Sequence, residues 1–88
     1  MKVNLYSIKD NKTGFMQPRC DMNHKAAIRA FELTLATVSG DTVMGFCPED
    51  FDFYYVGQFD TESGIVSALP TPEFLKSGSS YHCTGNEV

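Results

Sequence analysis

Two loops built to one pattern organise this chain, Asp10-Asn11-Lys12-Thr13-Gly14 and Asp60-Thr61-Glu62-Ser63-Gly64. Each starts with an Asp whose carboxylate can accept turn amides and ends with a Gly free to take φ > 0. That is the chemistry of a four- or five-residue hairpin loop. Each loop also lies between strand-like runs, LYSIK and FMQ around the first, FYYVGQF and IVSAL around the second. Two β-hairpins therefore bracket whatever lies between them. Along residues 2–9, Val3, Leu5 and Ser7 alternate with Asn4, Tyr6 and Ile8. Phe15-Met16-Gln17 returns antiparallel, and Pro18, with no amide to donate, ends that strand. In the second hairpin Phe51, Phe53, Tyr55, Gly57 and Phe59 share one face of a strand over Phe51 to Phe59. Asp52, Tyr54, Val56 and Gln58 share the other.

Between the hairpins the spacing predicts a helix from Asn23 to Val38. Ala27, Ile28, Phe31, Leu35 and Val38 make its apolar stripe, widened by Ala30 and Leu33, with Lys25, Arg29 and Glu32 on the other side. Asn23 or Asp21 caps the start, and Ser39-Gly40 stops it. About fourteen residues at 1.5 Å each give a rod of about 21 Å, long enough to cross four strands. Residues 41–50 read as a connection. Pro70 and Pro72 close the sheet, and Thr71-Pro72-Glu73-Phe74-Leu75 suits a single helical turn before a flexible tail. The expected fold class is α+β: ββαββ, an antiparallel four-stranded sheet from two hairpins with one helix on one face. Residues 1–70 form its single domain and 71–88 a C-terminal extension.

Composition narrows the chemistry. Apolar residues are 42% of the 88, enough for one globular core. No apolar run approaches the ~18–20 residues of a bilayer span, and the first ten residues lack a signal-peptide apolar stretch, so the expected setting is soluble and cytoplasmic. Cys20, Cys47 and Cys83 are odd in number and lack a framework spacing, which suits free thiols in a reducing compartment. A metal site is not expected: Cys20 with His24 and the His82-Cys83 pair lack zinc-ligand spacing on both sides. No cofactor loop is present, since Gly14, Gly40 and Gly45 are isolated. Glu49, Asp50 and Asp52 read as solvated turn chemistry. Cys20 with His24 or His82 has neither oxyanion donor nor orienting group. The chain reads as a non-enzyme.

Charge is split along the chain. Residues 1–29 carry six cations, Lys2, Lys9, Lys12, Arg19, Lys25 and Arg29, against two acids (+4), whereas residues 30–88 carry Lys76 against nine (−8), giving the net −4. The helix covers the Phe51 face, which leaves a second sheet face expected to carry Tyr6, Ile8, Tyr54 and Val56 among Asn4, Asp52 and Gln58. Its tyrosines suit stacking on single-stranded nucleic acid, with Lys2, Lys9 and Lys12 drawing in the backbone. The same face suits packing against a second copy as a homo-oligomer, or an ordinary half-solvated surface. The acidic total favours self-association, because nucleic-acid affinity comes largely from phosphate neutralisation.

Three blocks, LYSIKDNKTG at 5–14, KAAIRAFE at 25–32 and PEDFDFYYVGQFDTESG at 48–64, carry a family resemblance. Together they resemble the small nonstructural protein of gokushovirus-type microviruses, the single-stranded DNA phages, known as the phage ORF-five family. The resemblance covers residues 3–64. It implies a non-virion protein of the host bacterial cytoplasm. It also implies binding to DNA as the replicative form gives way to single-stranded genome synthesis. The nucleic-acid-binding candidates are Lys2, Tyr6, Lys9, Lys12, Arg19, Lys25, Arg29 and Tyr54. The alternative is a homo-oligomeric interaction protein that binds a phage or host replication protein without contacting DNA.

Overall fold

A computed structural model describes residues 1–80. Strand β1 (Lys2–Asp10) turns through the first loop into two short strands, β2 (Gly14–Phe15) and β3 (Arg19–Asp21), which pair in succession with the same edge of β1. The break between them holds Pro18, where the ladder needs a donor the ring lacks. Helix α1 (His24–Thr37) follows, then a short helix α2 (Val43–Phe46) and a 3-10 turn at Pro48–Asp50. Strand β4 (Phe51–Asp60) pairs along the whole of β1, and β5 (Val66–Ser77) pairs with β4 before a second 3-10 turn at Gly78–Ser80. The sheet is antiparallel, ordered β2/β3-β1-β4-β5, with α1 on one face. The α+β class and the two-hairpin sheet are those the sequence predicts.

Both loops form as their chemistry requires. Asp10 Oδ1 accepts the Lys12 amide at 3.0 Å and Asp60 Oδ1 accepts the Glu62 amide at 2.9 Å. Gly14 and Gly64 take φ of 127° and 77°, a region closed to most side chains. Asn23 caps α1, its Oδ1 accepting the Ala26 amide at 2.8 Å. The buried stripe of α1 is Ala27, Phe31 and Leu35, with Ile28 and Val38 packed partly against it. Leu33 does not widen that stripe: it is 63% exposed, and Ala30 is exposed with it. Phe53 forms the centre of the core. Its ring stacks on Phe31 at 4.9 Å and on Tyr6 at 5.4 Å. Each such aromatic contributes about 1.5–3 kcal/mol by burial alone. Met44 of α2 is buried in the same cluster, so the expected connection at 41–50 also supplies a core residue.

Two sequence expectations are corrected. Residues 71–75 are strand and not a helical turn, and β5 runs unbroken across the expected boundary at residue 70. Its prolines are accommodated because Leu69 to Pro72 form a bulge between the pairs Gly57–Ala68 and Tyr55–Glu73, where no ladder donor is required. The expected tail falls partly outside the described residues, at 81–88, and His82 and Cys83 lie there too.

The second correction concerns the faces of the sheet. Tyr6 pairs with Tyr55 and Ile8 with Phe53, so both lie on the helix side. Toward the other end, Leu5 pairs with Gly57 and Val3 with Phe59. The register shifts at this point, leaving Val56 as one extra residue on β4. Side-chain direction has period two, so one extra residue transfers Gly57 and Phe59 to the face opposite Phe51, Phe53 and Tyr55.

Candidate functional site

The face left open by α1 is the candidate site. Cross-strand pairing sets its membership: Val3, Leu5, Ser7 and Lys9 from β1, and Asp52, Tyr54, Gly57 and Phe59 from β4. Phe15 comes from β2, Cys20 from β3, and Val66, Ala68 and Phe74 from β5. At one end three rings form a row. Phe15 meets Tyr54 edge-on at 5.3 Å, and Tyr54 meets Phe74 edge-on at 5.8 Å. Phe15 is 48% and Phe74 53% exposed. The Lys9 ammonium sits 5.4 Å from the centre of the Phe15 ring. Toward the other end Val3, Leu5 and Ala68 lead to Phe59 and its neighbour Val66, which is 60% exposed. Ser7 is buried beneath the row, its hydroxyl donating to the Met16 carbonyl at 2.6 Å. The face has no helix over it, and nothing else among the described residues covers it.

Of the expected nucleic-acid contacts, Tyr54 and Lys9 lie on this face and Tyr6 does not. Tyr6 is 2% exposed, so its ring has no free side for a base. Its hydroxyl meets His24 Nδ1 at 2.7 Å and accepts from Asn4 Nδ2 at 2.9 Å. Asn4 accepts in turn from Gln58. Burial, with Asp21 and Tyr55 nearby, pushes the Tyr6 phenol above its ordinary value, although the Asn4 hydrogen bond works the other way.

The cations do not converge. Lys2 lies at the far end of β1, opposite Asp60, about 23 Å along the strand from Lys9. Lys12, in the first loop, is 3.9 Å from Asp50. Lys25 and Arg29 are one turn apart on the exposed side of α1, whereas Arg19 lies on β3 at the opposite flank of the helix. The +4 of the first 29 residues is therefore distributed over several surfaces. Cys20 and His24 do not converge either. Cys20 is exposed and pairs with Leu5 on the open side, whereas the His24 ring lies against Tyr6 and Tyr55 on the helix side. Among the described residues no three potential metal ligands cluster.

A second concavity runs beside α1, a cleft of about 960 Å³ between the helix and β2–β3, floored by Tyr6, Ile8, Phe31 and Phe53. Sequence reasoning missed Phe15 and Phe74 as surface residues. Phe15 was visible as one member of a short returning strand, but Phe74 was hidden by the helical reading of 71–75.

No helix among the described residues is long and apolar enough to cross a membrane. No curated protein and no solved structure matches this chain. The family model described as Phage ORF5 protein matches residues 3–81, and so takes in β5, which lies beyond the three blocks of the resemblance. The chain belongs to the phage ORF5 protein family.

Proposed function

We propose that this is a phage-encoded nonstructural accessory protein that works by binding and not by catalysis, through the open face of its sheet. The observation that supports this reading is that face itself. A sheet covered on one side only presents Phe15, Tyr54 and Phe74 at one end of its open face and Phe59 and Val66 at the other. Contiguous apolar patches on small proteins mark association sites. The ligand that fits best is protein, because Lys9 is the face's single cation among the described residues and stands beside Asp52. The family and the resemblance to gokushovirus-type microviruses support a role in single-stranded genome replication. The site of action is then the bacterial cytoplasm, outside the virion, on a phage or host replication protein. Tyr54→Asp should leave the circular-dichroism spectrum and cooperative unfolding intact while sharply lowering phage yield. Unchanged yield would count against the open face.

A second reading follows from the exposed rings of Phe15 and Phe74 beside Lys9, which suit unpaired bases. Anisotropy titration with a single-stranded oligonucleotide at about 50 mM salt tests it, since electrostatic affinity is strongest at low salt. Absence of binding there would remove direct DNA contact. The dispersal of the cations makes that the expected result.

A further inference from the structure

Resting on the reading of the open face as a binding surface, we infer that its occupant is a second copy of this chain, packed sheet on sheet about a twofold axis that runs parallel to the strands between β1 and β4.

The edges of the sheet direct association to its face. One edge is interrupted by Pro18 between β2 and β3, and the other carries the Pro70–Pro72 bulge. Neither offers a continuous row of ladder groups for strand addition. The face has room for a stable contact. Nine residues by four strands cover about 30 by 19 Å, so two copies bury about 1,100 Å² or more, which clears the ~1,000 Å² expected of a specific interface.

The face is also complementary to itself about this axis. The two central strands are β1 and β4, so the rotation lays β1 of one copy over β4 of the other. Every residue then faces the counterpart of its own cross-strand neighbour. Leu5 lies over Gly57 of the second copy, the one position on the face with no side chain. Tyr54 lies over Ser7 of the second copy, and Val3 over Phe59. At the polar end Lys9 lies over Asp52 of the second copy, and Asp52 over Lys9, so the charges pair twice. The alternative axis, perpendicular to the strands, sets Lys9 and Asp52 against Val3 and Phe59, which offer neither charge a counter-charge across the interface.

Charge reversal across separate chains tests the axis. Lys9→Glu leaves only acids at this end, and Asp52→Lys only bases. Each variant alone should dimerise about tenfold or more weakly than the parent, by like-charge repulsion at the interface. Mixed one to one they should form a heterodimer, in which the two carboxylates of the first variant lie over the two ammonium groups of the second. Intramolecular repair cannot produce that rescue, because neither chain carries both changes. Light scattering of the unmutated protein at about 100 µM gives the first readout, independent of whether a variant folds; standard interfaces reach micromolar affinity or better. A monomer there overturns the proposal. So does a dimer whose two variants associate no better mixed than apart. A monomer whose Tyr54→Asp variant still loses phage yield overturns the second copy but keeps the open face. A monomer indifferent to Tyr54→Asp overturns both.

Discussion

Two titratable residues carry structural duties that a pH series can read. The Tyr6 phenol, held neutral under α1, ionises in the unfolded chain near its ordinary value of about 10 but resists ionisation in the fold. Above that pH the unfolded state releases a proton the native state keeps, so stability is full below about pH 10 and declines as pH rises past it. Tyr6→Phe should cost about 1–2 kcal/mol at neutral pH, by loss of the bond to His24. It should also flatten the alkaline decline, so the two proteins converge in urea melts at higher pH. Asp60 acts in the opposite direction. The Glu62 amide holds its carboxyl below the usual range, assisted by the Ser63 amide and hydroxyl and by Lys2. The native state therefore stays ionised where the unfolded carboxyl has already taken a proton. This contribution is present above the ordinary carboxylate pKa and disappears as pH falls through the lower native one. Asp60→Asn, which keeps an acceptor for the loop, should unfold with a weaker acid dependence than the parent in thermal melts between pH 2 and 5.

Among the elements, α1, both loops and the first half of β4 were legible because each carries its own local signal, whereas the extra residue at Val56, which moves Gly57 and Phe59 to the other face, shows only in the pairing. Asn23 caps, Phe31 and Leu35 repeat at helical spacing, Asp10 and Asp60 open their turns, and Phe51-x-Phe53-x-Tyr55 alternates. Phe31→Ala should cost about 3–5 kcal/mol in denaturant melts, since its ring is fully buried on Phe53. The side taken by β1 was not legible. Its own alternation permits Tyr6 above or below the sheet, and only pairing with Tyr55 decides. β5 was misread because Pro70 and Pro72 forbid a regular central strand, a rule that does not bind an edge strand with a bulge. Gly57 is fixed by close approach: a Cβ there would run into the Ser67 carbonyl. Gly57→Ala should therefore loosen β4 from β5, seen as faster amide exchange at Val66 to Ala68.

At the scale of the whole molecule the chain is elongated, 48 × 24 × 19 Å, with its buried core gathered between α1 and the Phe51–Phe53 end of β4. Its cations are distributed around that length, and its exposed apolar side chains lie on the open face (Phe15, Val66, Phe74) and also on α1 (Leu33) and α2 (Val43, Phe46). Charge bookkeeping along the sequence suggested one cationic end, but folding carries Lys2 away from Lys9 and Lys12 and sets Lys25 and Arg19 on different flanks. Replacing Pro70 and Pro72 together by Thr should regularise the β5 edge and raise aggregation at high concentration, measured as turbidity after heating.

The extra residue at Val56 also bears on how much a short chain can encode. Without it, a ten-residue strand holds a single alternating register, and every odd position answers to the helix. With it, β4 is read in two frames: Phe51, Phe53 and Tyr55 answer to the interior, Gly57 to the close approach of β5, and Phe59 to whatever meets the molecule from outside. Phe51, Phe53 and Tyr55 on one side of Val56 and Phe59 on the other are thus under separate demands, so variation at Phe59 can retune a partner without disturbing the inward half that holds the fold.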